Sequence, residues 1–227
     1  EALEACVAAQ WKSDRLSGHS IEALQREAFV KAYLEDATHN KIAVAGGQMS
    51  AALLNEEIEK AARERSADGG TFEVARSGKD ALEVHIGSRL VIARARQDIT
   101  APVGSYGTVV SVGEDGSVQL AIDDRIVQVS TADACSALEY GYVAPVRALR
   151  GQRFEAVHGF LGRGATRHGI TALLQLGDEL SLSLPVEVDM QGSAAGFVQM
   201  ALGYEHTGAA LDYGFDPAQA LRASAQR

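Results

Sequence analysis

Hydrophobic positions in the first part of the chain recur at helical spacing. The stripe consists of Ile21, Leu24, Ala28, Phe29 and Tyr33, which follow the turn of an α-helix. Ser20 precedes the stripe and is a suitable N-cap, because its hydroxyl can accept a hydrogen bond from an unpaired backbone N–H of the first turn. We predict a helical lead segment over residues 1–40.

A short apolar run and a second helical pattern follow. Residues 42–45 (Ile-Ala-Val-Ala) predict a buried strand, and the glycine pair 46–47 predicts a tight turn after it. From about Ser50 we predict a helix, with an apolar stripe of Leu54, Ile58 and Ala61. The order of strand, turn and helix is typical of α/β domains. We assign residues 41–84 to the first part of such a domain.

The hydrophobic period then changes from helical to alternating. The apolar positions that mark strands are Leu90, Ile92, Val109, Val118, Leu120, Ile122, Val127 and Val129. Residues 113–116 (Gly-Glu-Asp-Gly) and 123–124 (Asp-Asp) separate them with the residues that favour β-hairpin turns. This succession of short strands predicts a small SH3-like β barrel over residues 85–138.

Mixed patterns return after the barrel. Residues 146–149 favour a helix, residues 156–161 a short strand, and residues 170–176 form a further apolar run. A helical tail is predicted from Ala194. The fold class is therefore α/β, with a small barrel interrupting a domain that resumes over residues 139–227.

Length and composition favour a globular protein in the cytoplasm. The 227 residues are 46% hydrophobic, which is enough to bury a core. The sequence has neither an apolar run of about 18 residues nor a basic start followed by an apolar stretch, so we expect no membrane span and no signal peptide. The chain begins at Glu1 rather than at a methionine, so we expect it to be part of a longer protein.

Cysteine and histidine usage gives no metal signature. Cys6 and Cys135 lie far apart without a second pair of ligands, so we predict neither a zinc site nor a disulfide. The six histidines show no HExxH spacing. We predict that the chain binds no metal.

Positive charge is concentrated in one segment of an acidic chain. The net charge of −9 argues against a protein that wraps nucleic acid. Residues 147–168, however, contain only one acid, Glu155, and five arginines: Arg147, Arg150, Arg153, Arg163 and Arg167. The first three are spaced by three residues, so one helix face would align them against successive phosphates of a single strand. The alternative is a solvated basic face.

Several further residues have both a functional and a structural interpretation. Tyr142 would stack on a base of a single strand, or pack beside the glycine before it. The glycine pair 46–47 would seat an anion at a helix N-terminus, or form an ordinary turn. The barrel surface around residues 94–96 and 105–106 would contact DNA, or only brace the α/β domain. His158 and His168 would contact phosphates when protonated, although packing or surface roles are the first interpretation.

The order of motifs resembles a known family. The matching stretches are residues 52–55 (Ala-Leu-Leu-Asn), 87–90 (Gly-Ser-Arg-Leu), 103–109 (Val-Gly-Ser-Tyr-Gly-Thr-Val), 141–151 (beginning Gly-Tyr-Val-Ala), 170–176 and 210–213 (Ala-Leu-Asp-Tyr). They resemble the "LN", "GDRV", "NGxxGTV", "GYAxTxHKxQG", "TYVAxSRxR" and "LDY" motifs of Ti-plasmid-type conjugative transfer relaxases, which are MobF-like. The C-terminal half of these relaxases is a RecD-like superfamily-one helicase. The resemblance covers most of residues 41–215, and it implies a RecA-like, 2A-like helicase subdomain interrupted by the barrel.

The chain departs from this family at its motor motifs. The Thr, His, Lys and Gln of "GYAxTxHKxQG" fall on Pro145, Arg147, Ala148 and Arg150. The Ser and Arg expected after the "YVA" strand fall on Gln175 and Leu176. Because leucine cannot stabilise the charge that develops during phosphoryl transfer, the resemblance implies a helicase-like module without its own activity. ATP and Mg²⁺ would belong to an active parent motor, and this chain would hold no cofactor.

Three functions remain open at this stage. The first is a non-catalytic module of a relaxase that binds single-stranded DNA during plasmid transfer. The second is a translocation signal that docks on the coupling protein of a type IV secretion system. The third is the C-terminal half of an active ATP-dependent helicase, in which an arginine from elsewhere would replace Leu176.

Overall fold

The computed structural model describes residues 16–18, 22–66, 70–149, 151–161, 172–173 and 175–184. Their strands are β1 (Leu16–Gly18), β2 (Lys41–Ala45), β3 (Phe72–Val74), β4 (Leu82–Val84), β5 (Arg89–Ile92), β6 (Tyr106–Val112), β7 (Val118–Ile122), β8 (Arg125–Val129), β9 (Leu138–Tyr140), β10 (Val143–Pro145), β11 (Phe154–Phe160) and β12 (Gly177–Leu184). Their helices are α1 (Glu22–Glu35), α2 (Gln48–Arg65), α3 (Ala132–Cys135) and a 3₁₀ helix (Val146–Leu149). The chain divides into two compact units, unit 1 (residues 1–51 and 144–227) and unit 2 (residues 52–143).

A largely parallel sheet forms the centre of unit 1. Its strand order is β1-β12-β11-β2-β10, and β1 with β12, β12 with β11, and β11 with β2 pair in parallel. Residues 42–45 of β2 are all buried, as expected for a strand covered on both faces. The strand predicted at residues 42–45 and the strand predicted at residues 156–161 are confirmed, and they pair with each other.

Helix α1 packs on this sheet through one stripe of side chains. Phe29 contacts the ring of Phe160 edge to face, and the Gln25 Nε2 donates to the carbonyls of Leu161 and Ser183 at 3.1 Å each. The predicted apolar stripe is wrong at Leu24, which is 50% exposed. A buried glutamine takes that place, and its amide can be buried because it donates to carbonyls at the ends of β11 and β12.

Unit 2 contains an antiparallel sheet with the strand order β8-β7-β6-β5-β9. Its neighbouring strands pair in sequence, except that β9 returns to lie beside β5. The hairpin β3-β4 forms a separate two-stranded sheet whose Val74, Leu82 and Val84 join the same hydrophobic core. The alternating pattern predicted for β7 is confirmed, because Val118, Leu120 and Ile122 are all buried.

The predicted hairpin turns are also confirmed. Between β6 and β7, the Gly113 N–H donates to the carbonyl of Ser117 at 2.8 Å, and Gly116 adopts a φ of 77°. Between β7 and β8, Asp123 adopts a φ of 50°, a left-handed conformation that aspartate tolerates better than most residues. The helix predicted from Ser50 is α2, with Leu54 and Ile58 buried.

The structure differs from the prediction at two places in the last part of the chain. Residues 146–149 form a single 3₁₀ turn. The "YVA" strand expected within residues 170–176 is wrong, because residues 172–173 and 175–176 are helical and the strand begins only at Gly177. An apolar run of this length does not distinguish a strand from a buried helix. The helical tail predicted from Ala194 lies outside the described residues.

We predict that Gly141→Ala destabilises the protein by about 2 kcal/mol or more. A Cβ at residue 141 would lie 2.8 Å from the carbonyl carbon of Leu90 and 2.9 Å from its oxygen, and a paired strand backbone cannot move aside. Urea unfolding measures the loss. Gly46→Ala is the control, since a Cβ there meets nothing within 4 Å. Equal stability of the two variants would contradict the prediction.

Candidate functional site

Arg147 is presented at the edge of the sheet of unit 1. It lies on the 3₁₀ helix that directly follows edge strand β10, and the buried Leu149 anchors that helix. Arg147 itself is exposed, and its Nη2 donates to the Oε1 of Gln48 at 3.2 Å. Gln48 is the first residue of α2, so the guanidinium lies beside the start of that helix.

The start of α2 next to Arg147 is open. The Ala51 N–H donates to the carbonyl of Gly47 at 3.0 Å, which places the glycine pair 46–47 immediately before the first turn. Both glycines are exposed, and the first turn contains no acidic residue. The first N–H groups of a helix lack partners within the helix and carry partial positive charge. Arg147 and this turn together favour an anion over a cation.

Arg147 and Arg153 do not share one helix face, which corrects the sequence prediction of an aligned row. The 3₁₀ helix ends at Leu149, and Gly151, with a φ of 79°, turns the chain before β11. Arg153 is therefore outside the helix, where it is exposed and forms an ion pair with Asp178. Arg150, Arg163 and Arg167 lie outside the described residues. Of the two described arginines in this segment, Arg147 bonds to a neutral glutamine and Arg153 to an acid, so Arg147 is the better candidate to contact an anion.

His158 has a packing role. It is buried on β11, its Nε2 lies 2.7 Å from the Oδ2 of Asp36, and its ring contacts Tyr33 edge to face. Burial raises the pKa of Asp36, but hydrogen bonds from Thr38 and His158 outweigh it and hold that pKa at about 2. The structural interpretation of His158 is the one that the contacts support. His168 lies outside the described residues.

Tyr142 is buried, so its proposed role in base stacking is not supported. The residue is 5% exposed. Its hydroxyl donates to the Oε2 of Glu59 at 2.7 Å and accepts from the Arg89 N–H at 3.0 Å. A ring enclosed in this way offers no face to a base, and the alternative of packing beside Gly141 explains it. Sequence alone left this choice open because tyrosine suits both environments.

Glu59 is the centre of a buried polar network in unit 2. Its Oε1 accepts from the Ser88 Oγ at 2.7 Å and lies 2.8 Å from the Nδ1 of His85. Ser88 Oγ also lies 2.8 Å from that Nδ1 and accepts from the His85 N–H at 2.7 Å. Glu59, His85 and Ser88 are each 5% exposed or less. The network is a set of mutually satisfied groups in the interior.

The network has the residue types of a hydrolase triad without its geometry. In a triad the serine and the acid occupy opposite nitrogens of the histidine ring, so that the ring can relay a proton. Here Ser88 and Glu59 both approach the Nδ1 of His85, and Ser88 is fully buried. A nucleophile in this position has no substrate access. The arrangement therefore lacks the geometry for acyl transfer.

Asn55 lies one helical turn before Glu59 and also bonds inward. Its Oδ1 accepts from the Tyr142 and Val143 N–H groups at 3.0 and 2.9 Å, and its Nδ2 donates to the Val143 carbonyl at 2.8 Å. Asn55 belongs to the stretch that resembles the "LN" motif, and its sequence position alone indicates no role. For Asn55 and Glu59, the sequence signal is the apolar residue directly before each one, Leu54 or Ile58. A polar side chain beside such a residue is placed near the core.

The surface of unit 2 near β5 and β6 contains paired cations. The guanidinium of Arg89 lies 5.3 Å from the ring centre of Tyr106. Burial raises the pKa of Tyr106, and the positive charge of Arg89 lowers it by a smaller amount. Arg96 forms ion pairs with Asp98 and Asp133 at 3.4 and 3.7 Å. Arg94 is exposed. The proposed DNA contact of this surface stays a prediction.

The described residues form neither a cluster of metal ligands nor a membrane-spanning helix. Within the parts of the chain that the structure describes, no three His, Cys, Asp or Glu side chains are grouped so that they could hold a metal ion. Over the same residues, none of the helices combines the length and apolar character needed to cross a membrane.

Solved structures of Pif1 helicases resemble the chain in part. The Bacteroides enzyme in complex with ADP-AlF3 and single-stranded DNA is 8% identical with a TM-score of 0.49, over 80% of this chain and 50% of that one. The Candida albicans enzyme is 11% identical with a TM-score of 0.44, over 81% and 53%. A structure of two coordinating Pif1 helicases on forked duplex DNA is 9% identical with a TM-score of 0.46, over 79% and 48%.

The chain spans about half the length of these helicase structures. No protein-family model matches the sequence, and no curated protein matches it. The likeness to the helicases is partial, and no function is carried over from it.

We predict that Tyr142→Phe lowers the free energy of unfolding by about 1–3 kcal/mol, because it leaves the Glu59 Oε2 and the Arg89 N–H without this partner in the interior. Urea unfolding provides the measurement. Tyr140→Phe is the matched control, since the Tyr140 hydroxyl donates to the Glu83 carbonyl at an exposed position where water can replace it. A loss no greater than that of the control would refute the assigned role.

We predict that Asp36→Asn removes part of the acid sensitivity of the protein. The pKa of Asp36 is about 2 in the folded chain, below its ordinary value, so ionised Asp36 stabilises the fold above about pH 4. That contribution is lost as the pH falls from about 4 to 2. Wild type should therefore lose about 2 kcal/mol more than Asp36→Asn over this window.

Urea unfolding at a series of pH values tests this expectation. Asp124→Asn, which changes an exposed aspartate in the turn before β8, is the control and should follow the wild-type pH profile. Parallel profiles for wild type and Asp36→Asn would show that the hydrogen bonds from Thr38 and His158 to ionised Asp36 do not stabilise the fold.

Proposed function

We propose that this chain is a helicase-like, non-catalytic module of a conjugative relaxase, and that it holds single-stranded DNA at Arg147 during plasmid transfer. The relaxase assignment is supported by the order of motifs along residues 41–215. The DNA-binding role is supported by one structural observation, the exposed guanidinium of Arg147 beside the open first turn of α2.

The geometry at Arg147 suits a phosphate. A guanidinium has five N–H donors in a planar fork. Among the described contacts, the bond to Gln48 occupies one of these donors and orients the group beside the glycine pair 46–47. A phosphate placed there would accept hydrogen bonds from Arg147 while lying close to the partial positive charge of the helix start. Neither glycine has a side chain that would block it.

The binding proposed here has no sequence preference. Phosphate contacts position a strand without reading its bases. The net charge of −9 restricts the contact to a local site, because an acidic chain repels a long stretch of DNA. A short contact of this kind suits a module that holds a strand while another part of the same protein acts on it.

The non-catalytic part of the proposal rests on Leu176. The resemblance places a motor arginine at this position, and here the leucine is 6% exposed in a helical stretch before β12. A buried apolar side chain cannot stabilise charge on a phosphoryl group. The residues of this chain at its motor motifs therefore do not fit ATP and Mg²⁺.

We interpret the two units in the same terms. The parallel sheet of unit 1 is taken as a 2A-like part of a RecA-like domain. The five-stranded sheet of unit 2 is taken as an SH3-like barrel, supported by the return of β9 to the side of β5. Two functions compete with this one. The chain could dock on a secretion coupling protein, or it could form half of an active motor.

We predict that the chain binds a labelled single-stranded oligonucleotide, and that Arg147→Ala weakens binding about tenfold at low salt through the loss of one charged contact. The slope of log affinity against log salt should fall by about 0.7, the value for one phosphate of a single strand. Fluorescence anisotropy at several salt concentrations measures both. Arg125→Ala, at an exposed position on β8, is the matched charge control and should bind as wild type does.

The other outcomes separate the competing functions. If the wild-type chain binds no DNA at any salt concentration, the proposed binding of single-stranded DNA is excluded and docking on a protein is favoured. Equal weakening by Arg147→Ala and Arg125→Ala would show that only net charge matters. ATP hydrolysis by a longer protein that depends on residues of this chain would refute the non-catalytic assignment.

A further inference from the structure

The side chain of Gln48 has a fixed orientation at its contact with Arg147. Both residues belong to unit 1, both are exposed, and the Arg147 Nη2 donates to the Gln48 Oε1 at 3.2 Å. A guanidinium only donates hydrogen bonds, so the amide must turn its oxygen toward Arg147. The amide nitrogen of Gln48 therefore points away from the guanidinium.

The amide nitrogen of Gln48 is a second donor group beside Arg147. The Nε2 carries two N–H groups, and no hydrogen bond among the residues that the structure describes engages them. Because the oxygen and the nitrogen of an amide share one carbon, these donors lie close to the guanidinium. The pair thus places a neutral donor next to a charged one.

Two adjacent donors of this kind suit a phosphodiester. Its two non-bridging oxygens share one negative charge, so one oxygen can accept from Arg147 and the other from Gln48. Neutral side chains, glutamine among them, are ordinary contacts of the DNA backbone. A metal cation would be repelled by Arg147, and an uncharged base would leave the charge of the guanidinium uncompensated.

From these contacts we infer that Gln48 is a second phosphate-binding residue of the site, and that its amide donates to the phosphate that Arg147 contacts. The inference rests on the proposed function, since it concerns the same strand at the same place. It extends the site to an uncharged residue, which a search for positive charge does not find.

The two residues should contribute differently to the salt dependence of binding. A cation that neutralises a phosphate releases a counterion, and this release makes affinity fall as salt rises. An amide that donates to the same phosphate releases none. Loss of the Gln48 amide should therefore weaken binding equally at every salt concentration, whereas loss of Arg147 also reduces the salt slope.

Gln48→Ala tests the amide, and alanine preserves the helix because it has the highest helix propensity. The variant should bind a labelled single-stranded oligonucleotide about fivefold more weakly, the size expected for one neutral hydrogen bond, with the salt slope of wild type. Fluorescence anisotropy over a salt series measures both. Gln128→Ala, at an exposed glutamine of β8, is the matched control. Equal binding by the two variants, or a reduced slope in Gln48→Ala, would overturn the inference.

Gln48→Glu tests the orientation of the amide. Glutamate keeps an oxygen for Arg147, but it replaces both donors with a negative charge that pairs with the guanidinium and repels a phosphate. Affinity should fall more than about tenfold, and the salt slope should fall by about 0.7, as for Arg147→Ala. Gln128→Glu adds the same charge on β8 and should bind as wild type does. Binding by Gln48→Glu as tight as that of Gln48→Ala would contradict the inference.

A double variant decides whether Gln48 contacts DNA or only orients Arg147. Added to Arg147→Ala, Gln48→Ala should weaken binding at least about twofold further, because the amide still donates to the phosphate. No further weakening would show that Gln48 acts only through Arg147, and the inference would fall. The two proposals fail separately. Absence of DNA binding by wild type removes both, whereas weakening by Arg147→Ala with wild-type affinity in Gln48→Ala removes this one alone.

Discussion

Buried polar groups must find partners inside the protein, and in unit 2 this requirement fixes the path of the chain beside α2. Asn55 and Glu59 carry an amide and a carboxyl group into the interior on α2, and their partners are Tyr142, Val143, His85 and Ser88. A buried donor or acceptor without a partner costs about 1–3 kcal/mol. The chain after β9 can therefore take few other paths along the helix.

The same requirement explains why the aromatic residue of the "GY" motif packs instead of binding. Tyr142 lies beside Gly141, which approaches the backbone of Leu90 too closely for any side chain. With the backbone so near, the tyrosine ring is enclosed and its hydroxyl bridges Glu59 and the Arg89 N–H. The next exposed side chain on the same segment is that of Arg147.

The charged residues of unit 1 differ in the kind of partner that each one contacts. His158 and Asp36 pair in the interior and connect the end of α1 to β11, and Arg153 pairs with Asp178 at the surface. Arg147 instead bonds to a neutral glutamine. Since an uncharged partner leaves the charge of the guanidinium uncompensated, an anion gains more from Arg147 than from Arg153.

The sequence by itself determined the elements whose pattern is local. Strands β2, β7 and β11, helix α2 and the hairpin turns follow from hydrophobic period and turn residues, which act over a few neighbours. Only the tertiary structure decided that residues 172–173 and 175–176 are helical, that Gln25 replaces Leu24 in the α1 stripe, and that Arg153 leaves the face of Arg147. It also decided the burial of Tyr142 and the roles of Asn55 and Glu59. The contacts of Tyr142 with Asn55 and Glu59, and of Val143 with Asn55, join residues more than 80 positions apart, and no local pattern records such a distance.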